Sequence, residues 1–135
     1  MNARSWEVIL VGATLMAVGV ASGAHAASVP QGAWTYGACD TLFTHRGNVA
    51  SFKKPVDLFA PAFIVSGSRL RTPMASCNIA RTKRVSDRLI LNLSCATSIA
   101  VSSVTIILAP QPDGTMKRYS DANDTIGTTY RRCTP

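Results

Sequence analysis

Cys39, Cys77, Cys95 and Cys133 constrain what this 135-residue chain can fold into more than any other feature. They lie 38, 18 and 38 positions apart, contain no C-x-x-C pair, and have a single histidine, His45, among them. Zinc needs close-spaced pairs or Cys/His clusters, and a redox pair needs two neighbouring thiols, so neither chemistry fits this spacing. Two structural disulfides remain, which requires an oxidising compartment.

The N-terminus points to that compartment. Residues 1–7 are short and polar with Arg4, residues 8–20 form an uncharged apolar run, and Ala24-His25-Ala26 gives a small-x-small pattern before Ala27. That is the layout of a signal peptide, with cleavage expected after Ala26 and a single β-domain expected over 27–135. A retained anchor is the alternative, but about 13 apolar residues fall short of the ~20 that a bilayer requires. No later stretch is long and apolar enough to span a membrane, so the expected location is periplasmic or secreted. Arg4 and Glu7 leave together, so the net charge stays at +7. The remaining chain has no Glu and one histidine.

Four cysteines allow three pairings, and periodicity favours one of them. Placing Cys77 opposite Cys95 centres a turn on Ser86 and sets Ile79 against Leu93, Arg81 against Leu91 and Lys83 against Leu89. Leu89, Leu91, Leu93 and Cys95 then alternate on one face, and Cys77 and Ile79 join them there. Opposed residues of an antiparallel pair have Cα atoms ~4.5–5.5 Å apart, within reach of a disulfide. Cys39 then joins Cys133.

The rest reads as short strands between turns. Residues 32–36 form a first strand entered from Pro30, with Trp34 and Tyr36 on one face. Pro61 interrupts residues 56–65, leaving Phe63-Ile64-Val65 as the strand core. Ser66-Gly67-Ser68 turns the chain into an extended stretch over 69–72, and residues 74–84 and 88–95 form the hairpin. Residues 101–108 are rich in β-branched side chains, Pro112-Asp113-Gly114 turns into 115–119, and 125–133 closes the domain. About seven to eight short strands without helical periodicity predict an all-β fold, a small antiparallel barrel or sandwich. Trp34, Phe43, Phe52, Phe59, Phe63 and Tyr130 are assigned to its core, because few aromatics are available to build one.

Gly32-Ala33-Trp34-Thr35-Tyr36-Gly37-Ala38-Cys39, Cys77-x-Ile79, a strand ending in Cys95, and Tyr130-Arg131-Arg132-Cys133 together resemble small exported bacterial proteins of lipocalin-like appearance. The resemblance covers most of the chain after the leader. It implies a small β-barrel and carries over no activity, ligand or catalytic residue.

No catalytic constellation stands out. A hydrolase needs a base beside a nucleophile, and the one imidazole, His45, sits in a Thr-His-Arg-Gly segment that reads as a loop, with Asp40 available to orient it. Nucleophile elbow, phosphate loop and metal cluster are all missing, so no catalytic residue, metal or cofactor is assigned. The basic residues carry more. Arg69, Arg71, Arg81, Lys83, Arg84 and Arg88 fall within 20 residues, interrupted only by Asp87. Such a cluster attracts anionic partners, here an envelope component or an acidic protein. Nucleic acid is not expected, because no Phe, Tyr or Trp lies between residues 64 and 118 to stack on bases. The expected function is a non-enzymatic binding or interaction module, in the form of a ligand carrier or a hydrolase inhibitor. The alternative is a small secreted hydrolase using His45.

Overall fold

Alternation decides the architecture. Along β7 (Arg88–Ala96), Leu89, Leu91, Leu93 and Cys95 are buried and the residues between them are not, so one face of the strand lies against a core. The computed structural model describes residues 28–135, and the leader expected over 1–26 lies outside them. In chain order the other elements are β1 (Gly32–Thr35), α1 (Cys39–Leu42), β2 (Phe43–Arg46), β3 (Val49–Phe52), β4 (Ala62–Ser66), β5 (Arg69–Arg71), β6 (Ser76–Val85), β8 (Val101–Pro110), β9 (Met116–Tyr119) and β10 (Thr128–Cys133). Strands β4 to β10 run as an antiparallel meander, and β1 closes it by pairing with both β4 and β10. The result is an eight-stranded up-and-down barrel, while β2 and β3 form a separate two-stranded sheet.

The barrel interior is filled. Trp34, Phe63, Val65, Leu70, Leu89, Leu91, Leu93, Leu108, Met116 and Tyr130 form one buried cluster with Cys77 and Cys95. Eight strands enclose a space that side chains can just fill. The void left beside Phe63, Leu70 and Leu108 is about 10 Å³, no more than a single water needs. A second cluster lies outside the barrel. Phe43 and Ala50 of the small sheet pack on Ala33, Ala62, Ile64 and Cys133, so β2 and β3 cover the outer face of β1, β4 and β10. Two disulfides fix this arrangement, Cys77–Cys95 across β6 and β7 and Cys39–Cys133 from α1 to the end of β10.

Three sequence expectations are corrected. The segment carrying His45 is a strand, because Phe43–Arg46 pairs with Val49–Phe52 across a turn in which Gly47 has φ +60°. Phe59 is not core: it is 87% exposed on the connection to β4. The hairpin register holds from Cys77↔Cys95 to Ile79↔Leu93 and then shifts, so that Arg81 opposes Asn92 and Lys83 opposes Ile90.

Candidate functional site

The register shift creates the basic surface. A bulge at Ala80 adds one residue to β6, and because side chains alternate faces, one added residue reverses every position beyond it. Without it Arg81 and Lys83 would share the inward face with Leu91 and Leu89. Setting an unpaired Arg81 opposite Leu91, deeper in the barrel than the rim place opposite Leu89, would cost far more than interrupting one ladder position. With the bulge, Arg81 and Lys83 stand exposed on the outer face beside Asn92 and Ile90, and half-buried Thr82 takes the inner place opposite Leu91. Arg84 falls on the inward side but at the rim, where it is exposed.

On β5, Leu70 points inward with no exposure, so Arg69 and Arg71 face out. Arg69 is exposed opposite Asn78 and joins the outer face of the hairpin. Arg71 is half-buried, and its Nη2 donates to the Ala50 carbonyl at 3.1 Å, tying the small sheet to the barrel. Arg88 is likewise engaged within the fold. Its guanidinium lies 3.6 Å from the Tyr119 ring centroid and donates from Nη2 to the Asp124 carbonyl at 2.7 Å. Of the six clustered cations, Arg69, Arg81, Lys83 and Arg84 thus form the exposed group. Arg71 and Arg88 hold elements together.

The loop that Arg88 grips is ordered by Asp124. The backbone N–H groups of Ser120, Gly127 and Ile126 donate to its carboxylate and hold its pKa well below the usual carboxylate range. Gly127 has φ +67°, and a Cβ there would sit 3.0 Å from the Tyr119 ring, so this position requires glycine for both reasons.

His45 is half-buried and lines a cleft of about 330 Å³ between the small sheet and the barrel, shared with Asn48, Arg71 and Arg132. No carboxylate side chain lines this cleft. Asp40 lies on α1, where its backbone carbonyl accepts from Lys53 Nζ at 3.1 Å, and no hydrogen bond joins it to His45 among the described residues. Among those residues no group of three His, Cys, Asp or Glu is placed to hold a metal, and no helix is long and apolar enough to cross a membrane.

Sequence reasoning missed two features. One is Arg132, whose guanidinium lies 4.8 Å from the Trp34 ring centroid. The other is the β2–β3 hairpin, whose signal was legible: two short runs separated by Gly47-Asn48, a common two-residue turn. The fold and its surface define a small, disulfide-stapled up-and-down barrel with a basic hairpin whose β6 strand outruns β5. Comparisons with protein-family models, curated proteins and solved structures give no match.

Proposed function

We propose that the chain is an exported, non-enzymatic interaction module, periplasmic or secreted, that holds an anionic macromolecule against Arg69, Arg81, Lys83 and Arg84. The observation that carries this reading is the bulge at Ala80, which directs Arg81 and Lys83 outward onto the face that Arg69 shares. Exposed cations on neighbouring strands raise the local concentration of an acidic partner and speed its encounter. A filled interior favours binding on the outer surface over carriage of a small ligand inside. The two disulfides suit an oxidising compartment.

The test is retention on immobilised polyglutamate across a salt series. The parent protein is expected to bind with a steep salt dependence, because exposed charges are screened beyond a Debye length of ~8 Å at physiological salt. Replacing Arg69, Arg81, Lys83 and Arg84 with Gln should weaken retention and flatten that dependence without shifting the melting temperature. An unchanged salt slope in this variant would count against the proposal.

A further inference from the structure

The barrel seals most strand edges by pairing, but β6 outruns its neighbour. β5 pairs with it only from Ser76 to Asn78, and one further backbone bond, from Ile79 N to the Ser68 carbonyl at 2.7 Å, ends the contact. From Ala80 to Val85 the strand has β7 on one side and no paired strand on the other among the described residues. Beside this edge runs a groove of about 390 Å³, with Val29, Gln31 and Gly67 forming one wall and Ile79 to Thr82 the other. The Gln31 side chain braces that first wall by donating to the Val29 carbonyl at 3.1 Å and accepting from Gly67 N. No carboxylate lines the groove.

We infer that this edge receives an extended acidic segment of a partner protein as an added β-strand. The inference rests on the basic-surface reading above and names how that surface is used. An unpaired antiparallel edge presents alternate N–H and C=O groups, and main-chain bonds to them supply affinity whatever the side chains. Side chains then choose the partner. A second molecule paired here would bring its Arg81, Lys83 and Arg84 against those of the first, and like charges brought together across a ladder destabilise it. The same cations favour Glu or Asp on an incoming strand, so the edge is closed to itself and open to an acidic sequence.

The probe is a blocked Glu-Thr-Glu-Val-Glu-Thr-Glu peptide, measured against the whole protein alongside the same peptide N-methylated along its length. The two carry equal charge and differ in backbone donors. The unmethylated peptide is expected to bind at least about tenfold more tightly, since several backbone bonds are lost on methylation. It should also slow hydrogen exchange of amides within residues 80–85, and the R81Q/K83Q/R84Q variant should lose that protection. Equal binding of the two peptides, or no protection of β6, overturns strand addition while polyglutamate retention keeps the basic surface. Binding of polyglutamate or anionic vesicles but not of the peptide also overturns strand addition. If nothing anionic binds, both readings fall.

Discussion

Two strands of this barrel extend past their partners, and they treat the exposed edge in opposite ways. β6 runs free from Ala80 to Val85 and carries a bulge, Arg81, Lys83 and Arg84. Among the described residues β8 has no paired strand on its β9 side from Val101 to Ile106, because β9 pairs only with Ile107–Pro110. That second edge reads Val-Ser-Ser-Val-Thr-Ile and is uncharged, with Val101 77% exposed and Ile99 in the preceding turn 93% exposed. One disulfide touches both edges, at the base of the β6 edge and near the outer end of the β8 edge. Cys77 on β6 is bonded to Cys95 on β7, and Cys95 lies opposite Ser102 on β8. Length of overhang is therefore not what separates them. Charge pattern and the bulge select what can pair with β6, while β8 has neither device and relies on the Thr97–Ala100 turn, closed by Thr97 N to the Ala100 carbonyl at 2.9 Å, to order its start.

Cutting the Cys77–Cys95 bridge should produce the largest effect. Replacing Cys77 and Cys95 with Ala is expected to lower unfolding free energy by about 3 kcal/mol, the value for closing a loop of this size. Denaturant unfolding measures it, and hydrogen exchange should show both edges loosening together. Loosening of β6 alone would break the link between the two edges.

Neutralising the guarded edge comes next. R81Q/K83Q/R84Q should lose at least about tenfold in affinity for the acidic peptide, with folding stability moved by less than about 0.5 kcal/mol. If cations are what keep copies apart, light scattering should also show this variant aggregating sooner than the parent. The converse change sharpens the comparison: Val101→Lys places a charge on the neutral edge and should delay aggregation on heating, leaving peptide affinity unchanged. Faster aggregation of that variant would contradict the assignment of β8 as the vulnerable edge.

A smaller effect is expected at the loop behind β7. Because folding depresses the Asp124 pKa, its stabilising contribution is complete above the unfolded carboxylate value of 3.8 and declines as pH falls below that toward the folded value. Asp124→Asn should therefore melt below the parent at pH 7, and the gap should narrow in acid. A gap that widens in acid would mean that the hydrogen bonds from Ser120, Gly127 and Ile126 are not its source. His45→Ala should change least of all, leaving peptide binding intact. A hydrolytic activity that vanished with this substitution in a folded protein would overturn the non-enzymatic reading.

Much of this molecule follows from local pattern. The spacing of four cysteines, the alternation of Leu89, Leu91, Leu93 and Cys95, and turn residues such as Pro112-Asp113-Gly114 were enough for two disulfides and an antiparallel all-β fold, barrel or sandwich, because pairing period and turn chemistry act over a few residues. The clustering of cations along residues 69–88 was equally plain. Which of them face solvent was not. Arg71 and Arg88 donate to carbonyls 21 and 36 residues away, contacts that exist only once the small sheet and the β9–β10 loop have docked. The bulge at Ala80 is the most instructive case, since Asn-Ile-Ala-Arg-Thr contains no glycine to mark it. Its signal was a conflict: the simple register that satisfied Cys77, Ile79 and the leucines also aimed Arg81 at the core, opposite Leu91. That these demands conflict can be read from the residues alone. Where the ladder slips is set by the folded barrel, because the disulfide fixes the register on one side of Ala80 and the cost of burying Arg81 fixes it on the other.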